Sequence, residues 1–220
     1  MVEHGAPFRH WVIDDWCDPI PRDMIDRHVG PLWEAGYDND IERGKKTARN
    51  LDLMPGPVAA IMERMTNPGS VGHWSRITGI TLQADPSNHG GGLHVMDPGG
   101  WLGGHVDYAK HPKFPHLERR LNLIAFIHPE WEWHFGGQLL LMDPNGKTVA
   151  EINPFPGRLV AFETGDESYH GVRVISPRHG PRVSVAAYML SAIRPNVTRT
   201  RALFFPNRSP EIGKPPYEVR

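Results

Sequence analysis

Glycine and proline set the first limit on this chain. There are 23 Gly and 22 Pro among its 220 residues. Glycine weakens helices and proline breaks them, so punctuation at that density excludes a coiled coil or a helical bundle. The chain is still not a disordered one, because seven Trp, eight Phe and many Val, Ile and Leu remain to build a core. From about residue 73, short runs rich in β-branched and aromatic residues are cut by turn formers. These are Asp85-Pro86, Asp97-Pro98-Gly99-Gly100, Asp143-Pro144-Asn145-Gly146 and Pro154-Phe155-Pro156-Gly157. We expect strands near 75–84, 92–96, 101–106, 120–128, 137–143, 148–152, 158–163, 170–175 and 182–192. Asn145-Gly146 between LLLMD and KTVAEI marks a hairpin. Many short strands at this spacing give a mainly β chain of sandwich or jelly-roll barrel type.

The first third reads differently. Residues 21–36 place Met24, Ile25, His28, Val29, Leu32 and Trp33 at helical spacing, with Pro21 suited to a first turn and Gly36 to a stop. Residues 55–66 repeat the pattern with Val58, Ile61, Met62 and Met65, and Asn67-Pro68-Gly69 ends it. The polar stretch 38–50 reads as a loop. The expected organisation is one domain over 1–220: helical support over 1–72, the β core over 73–193, and an extended tail over 194–220. That tail carries Arg194, Arg199, Arg201, Arg208, Lys214 and Arg220.

Charge and cysteine use narrow the partners. Lys and Arg number 24 against 25 Asp and Glu, a formal net charge of −1, which argues against a general nucleic-acid binder. No window approaches the roughly eighteen apolar residues of a membrane span. Residues 1–20 have no basic start followed by an apolar run, so they do not read as a signal peptide. Cys17 is the only cysteine, which excludes an internal disulfide and a paired-cysteine zinc site and fits a reducing, cytoplasmic setting. Thirteen histidines invite a search for a metal site.

The informative segment is Gly103-Gly104-His105-Val106-Asp107-Tyr108. Residues two apart on a strand point to one face, so His105 and Asp107 project together. A histidine on a neighbouring strand would complete two imidazoles and a carboxylate on one side of a metal ion, leaving positions open as non-haem Fe(II) chemistry requires. His170, opening the strand His170-Gly171-Val172, is the candidate. Twelve residues on, Arg182, Ser184, Ala186 and Tyr188 share a face by the same alternation. An Arg aimed into an apolar barrel is costly unless paired, and an anionic ligand would pair it. Each element alone is weak. HxD by default is a turn or a surface pair, a lone histidine is structural, and a lone arginine is solvated. His116-Leu117-Glu118 and His128-Pro129-Glu130 are rival pairs, ranked lower because prolines crowd both. The order and spacing together carry the signal.

That combination resembles the Fe(II)- and 2-oxoglutarate-dependent dioxygenases, in their prolyl 4-hydroxylase-like branch. The likeness runs from about Ile77 to Leu190. It includes Gly100-Trp101-Leu102 before the HxD, the strand Arg119 to Ile127, the Gly136-Gly137-Gln138 hairpin, Pro154 to Phe162, and His170 to Val174. The resemblance implies a double-stranded β-helix with supporting N-terminal helices. It implies Fe(II) on His105, Asp107 and His170, with 2-oxoglutarate and O2 as co-substrates. Arg182 would meet the distal carboxylate of 2-oxoglutarate, assisted by Ser184. Some relatives place a Tyr where Phe126 stands here, so Asn122 would serve instead. His94 falls where relatives have an aromatic hydroxyl. Halogenases of the family lack the carboxylate, so Asp107 favours hydroxylation, with succinate and CO2 released.

For the primary substrate, Trp131, Trp133 and His134 are candidates for an aromatic wall, although a Trp packed beneath the Gly136-Gly137 hairpin is the plainer expectation for at least one of them. Tyr108 is a further candidate, as is the basic run Lys110, His111, Lys113, His116. The reading favours a small metabolite or an amino-acid-like substrate, with no nucleic acid and no membrane as partner. A peptidyl, prolyl-type protein hydroxylase is the alternative. A non-redox cupin-like binding module or a zinc hydrolase is the alternative of another class.

Overall fold

The structure is a computed structural model that describes residues 1–29, 33–36, 38–50, 53–205 and 212. Leu32 and the tail residues Arg208, Lys214 and Arg220 lie outside the described residues. In chain order the elements are β1 (Val2–His4), β2 (His10–Ile13), α1 (Arg22–Val29), β3 (Glu34–Ala35), β4 (Glu42–Ala48), α2 (Gly56–Thr66) and α3 (Pro68–Thr78). They continue with β5 (Gln83–Ala84), β6 (Gly92–Val106), β7 (Leu117–Phe126), β8 (Leu139–Met142), β9 (Thr148–Ile152), β10 (Leu159–Glu163), β11 (Tyr169–Val172), β12 (Arg182–Ala192) and β13 (Leu203–Phe204).

All pairings are antiparallel, and the strands run β1-β2-β10-β7-β12-β6-β11-β8-β9 across a curled sheet. This is the double-stranded β-helix. Its interior is explained by alternation. Val183, Val185, Ala187 and Met189 of β12, Leu121, Leu123 and Ala125 of β7, and Leu93 and Val95 of β6 turn outward. They meet Val58, Ile61, Met62 and Met65 of α2 and Trp74 of α3. The intervening residues of the same strands are left to line the inside.

Four departures from the sequence reading matter. First, the N-terminal third is not only helical. β1 and β2 extend the sheet beside β10, and β4 pairs with β6 where a loop was expected. Second, Asn67-Pro68-Gly69 ends α2 but also starts α3: the Asn67 side chain accepts from Ser70 N–H at 2.9 Å, and Pro68 fits the first turn. The strand expected over 75–84 is therefore helix to Thr78, with a left-handed stop at Gly79 (φ 73°) and only Gln83–Ala84 extended. Third, β6 runs through Asp97-Pro98-Gly99-Gly100 instead of breaking there. Ile175 holds the bend, accepting from Gly99 N–H and donating to Gly100 O. Fourth, the described part of the tail is not merely a surface segment. Its β13 pairs with Val106 and His105.

Candidate metal centre

β6 pairs with β12 along its first part and with β11 along its second, and it ends inside the HxD, with His105 in the strand and Asp107 one residue past it. His105 is opposite His170 of β11 in register. One donor atom each from His105, Asp107 and His170 lie within 4.8 Å of one another, and this is the one such cluster among the described residues. Each imidazole is held by its far nitrogen. His105 Nδ1–H donates to Gly103 O and His170 Nδ1–H to Ser168 O, both at 2.9 Å. The tautomer is thereby fixed and the Nε2 lone pairs face inward. Burial, reinforced by the neighbouring His105, pushes His170 down to about 4, which keeps it neutral and able to bind metal.

Asp107 is set by groups the sequence reading did not assign. Arg119 Nη1 lies 3.1 Å from Asp107 Oδ2, and Asn122 Nδ2 donates to the same oxygen at 3.4 Å. Asp107 Oδ1 faces His105 Nε2 at 3.7 Å. Burial pushes this carboxyl up, but Arg119 and the two histidines outweigh it and hold it well below the usual range. Arg119 is itself gripped: its guanidinium lies between the Tyr108 and Tyr188 rings, at 3.8 and 3.3 Å, and Nη2 donates to His89 O at 3.0 Å. Two adjacent arginines, Arg119-Arg120, near the start of a strand that is mainly apolar from Leu121 on were the available signal.

At the other end stands Arg182. It is buried, lies over the Phe126 ring at 4.7 Å, and finds no carboxylate among the described residues. Burial alone lowers it to about 9. Between the two ends is a cavity of about 100 Å³ lined by the triad, Arg182, Ser184, Asn122, His94, Tyr188 and Lys45. Burial, with Lys45 and Arg182 adding to it, takes His94 down to about 3, so it is a neutral wall group.

The structure thus brings His105, Asp107, His170, Arg182, Ser184 and His94 to one cavity. Asn122 also lines it, but opposite Tyr188, six residues along β12 from Arg182, and its Nδ2 donates to Asp107 Oδ2. It supports Asp107 and does not assist Arg182. The aromatic wall is not formed. Trp131 is packed with Met96, Val172 and Ile175 under the hairpin, donating from Nε1 to Gly136 O, and Trp133 is 47% exposed on the surface. Tyr108 supports Arg119 and donates to His89 O at 3.2 Å. The run 110–116 is not a basic face, since His111 is fully buried with its Nε2 3.1 Å from Asp85 Oδ2. The rivals are structural: Glu118 pairs with Arg194 and Arg120, and His128 donates to Pro154 O at 2.6 Å.

Two glycines beside the ligands are recesses for the tail. A Cβ on Gly104 would meet the Phe205 ring at 2.7 Å, and one on Gly171 would meet Ile212 Cδ1 at 2.8 Å. Phe204 stacks on the His105 ring at 4.9 Å, and Arg199 donates to the Asp107 carbonyl.

The donor set suits a six-coordinate divalent ion with open positions, and a buried guanidinium that meets no carboxylate among the described residues suits an anionic co-ligand on the same cavity. Comparison with known proteins agrees. The sequence family described as the 2OG-Fe(II) oxygenase superfamily matches residues 83–190, about half of the chain. No curated protein matches it. Among solved structures it is similar to a Pseudomonas putida prolyl-4-hydroxylase, at 15% identity and TM-score 0.54, over 83% of this chain and 92% of that one. It is also similar to a Trichoplax adhaerens prolyl hydroxylase in complex with a hypoxia inducible factor peptide fragment, at 16% identity and TM-score 0.52, over 82% of each chain. A third is HygX from Streptomyces hygroscopicus with nickel, 2-oxoglutarate and hygromycin B bound, at 7% identity and TM-score 0.50, over 89% of this chain and 92% of that one. With the matched segment spanning both the HxD and Arg182, the chain belongs to the 2OG-Fe(II) oxygenase superfamily.

Proposed function

We propose that this oxygenase hydroxylates a small, amino-acid-like metabolite. The observation that carries the co-substrate half of this reading is Arg182, a buried cation with no carboxylate partner among the described residues, on the cavity that holds His105, Asp107 and His170. A dicarboxylate reaching from metal to guanidinium supplies what the fold leaves out. The small-substrate half is supported by the cavity. Gly90, from a loop pinned by Asp85 and His111, closes part of it.

Fe(II) bound by His105, Asp107 and His170 supplies, with 2-oxoglutarate and O2, the oxidising chemistry whose products are the hydroxylated substrate, succinate and CO2. The chain supplies position. Gly103 O and Ser168 O fix the two imidazoles. Arg119 and Asn122 occupy Asp107 Oδ2, which leaves Oδ1 to face the metal. Arg182 and Ser184 orient the distal carboxylate of the co-substrate. Ile124, Leu139, Val172 and Met96 line the cavity with apolar surface and limit water.

Anaerobic Fe(II) titration with and without 2-oxoglutarate, followed by visible absorption, tests the first half. A charge-transfer band that needs both components is expected. No band, together with tight Zn(II) binding and no affinity for 2-oxoglutarate, would favour a zinc hydrolase instead. Succinate release tests the second half. Stronger stimulation by peptides than by free amino acids would move the assignment to a peptidyl hydroxylase.

A further inference from the structure

The register of three strands puts a second cation on the cavity wall. Lys45 of β4 is opposite Met96 of β6, and Met96 is opposite Arg182 of β12. In-register neighbours project to the same face. Lys45, Met96 and Arg182 therefore form one row, and all three line the cavity. Two strand spacings separate the cations by about 10 Å at Cα. The placement of Lys45 is built by Gly44. The β4–β6 register shifts between Arg43 and Lys45, where Gly44 has φ 65° and any Cβ would lie 3.2 Å from Gly100 Cα. Arg182 is at the sealed end, 5% exposed. The Lys45 side chain is 25% exposed, and its ion pair with Glu42, at 3.7 Å, is too long for a hydrogen bond.

The charges around the cavity do not cancel. A ferrous ion and a 2-oxoglutarate dianion balance each other. Asp107 balances Arg119. Even with Glu42 set against Lys45, Arg182 leaves one positive charge in excess, and the buried His94 adds none. A substrate that brings a negative charge completes this site, whereas one that brings an ammonium without a carboxylate is repelled. Arg182 offers the distal carboxylate of 2-oxoglutarate a planar fork at the closed end. Lys45, two strands away and partly exposed, is left for another anion.

We propose that Lys45 anchors a carboxylate of the primary substrate, so that the enzyme acts on free carboxylic acids, such as unblocked amino acids, and not on residues within a peptide chain. This rests on the reading of the site as a 2-oxoglutarate oxygenase with a small substrate. Calorimetry on protein loaded with Ni(II) and 2-oxoglutarate tests it, with the free amino acids and their C-terminal carboxamides as probes. At least one free acid should bind tenfold or more tightly than its carboxamide. Lys45→Met should abolish that preference and raise KM for the same acid at least tenfold in succinate release. Affinity for 2-oxoglutarate should stay within twofold, and Lys45→Arg should restore most of the preference. Thermal melting reports whether each variant is folded. The proposal is overturned if Lys45→Met weakens 2-oxoglutarate binding instead. It is overturned equally if carboxamides or peptides bind as well as free acids, or if no free acid binds. Failure of the oxygenase reading looks different: the wild-type, metal-loaded protein would not bind 2-oxoglutarate, and the proposal would fall with it.

Discussion

Arg119 and Arg182 stand at opposite ends of the site and are equally hidden, at 3% and 5% exposure. Both lie over aromatic rings. Their protons are nevertheless held very differently. Arg119 has Asp107 at 3.1 Å, and although burial works against its charge, that carboxylate raises its hold on the proton. Arg182 has no carboxylate among the described residues, and burial takes it down to about 9. The fold completes one arginine itself and leaves the other to a ligand. Burial alone therefore says little about an arginine's role; the partner within hydrogen-bond reach decides it.

The contrast can be broken most severely at the metal end. Arg119→Met leaves Asp107 as a buried, unmatched carboxylate. The metal-free protein should lose about 3–5 kcal/mol in urea unfolding, and Fe(II) affinity should fall roughly 10–100-fold. A loss below about 1 kcal/mol would place Arg119 among ordinary surface residues. The same substitution at the far end should act with the opposite sign on stability. Arg182→Met replaces a buried cation that has no carboxylate among the described residues with apolar surface, so unfolding should be unchanged or harder by about 1–4 kcal/mol. Affinity for 2-oxoglutarate should drop about 100-fold, near 2.7 kcal/mol, with Fe(II) binding retained. Destabilisation of the metal-free protein by Arg182→Met would remove the contrast.

pH sharpens the comparison by a smaller amount. His128 bonds the backbone on both sides of its ring, at Pro154 O and at Val183, the chain neighbour of Arg182, and burial lowers it to about 4. In the unfolded chain it titrates near 6.5. The unfolded state thus binds more protons between these values, so stability is full above about 6.5 and is lost as pH falls toward 4, by on the order of 2–3 kcal/mol. Arg182 contributes to that lowering, so Arg182→Met should shift the loss to lower stability cost, visible in circular dichroism melts. The smallest effect belongs to the tail. Phe204→Ala removes the ring stacked on His105 and should cost about 1–2 kcal/mol, with a few-fold loss of Fe(II) affinity in the same titration.

Alternation made much of this molecule legible. On β12, Arg182, Ser184, Ala186 and Tyr188 line the cavity while Val183, Val185, Ala187 and Met189 pack outward. β9 and β12 lie at the ranges the turn signals marked, 148–152 and 182–192. His105 and Asp107 needed only a strand to project together, because two-residue spacing is a local property of extended backbone. What escaped was what depends on a distant neighbour. Lys45 sits in a polar stretch that becomes strand only because β6 offers it an edge. The tail becomes β13 for the same reason, with Phe205 filling the space that Gly104 leaves.

The sequence by itself determined which residue types face inward and the order of the metal-site motif, since both follow from periods of a few residues. The tertiary structure alone decided that Arg119 belongs to Asp107, that Arg182 belongs to nothing in the described chain, and that Lys45 shares its row. Charge pairing is set by distances in space of a few ångströms, and those arise only when strands far apart in sequence are brought into register.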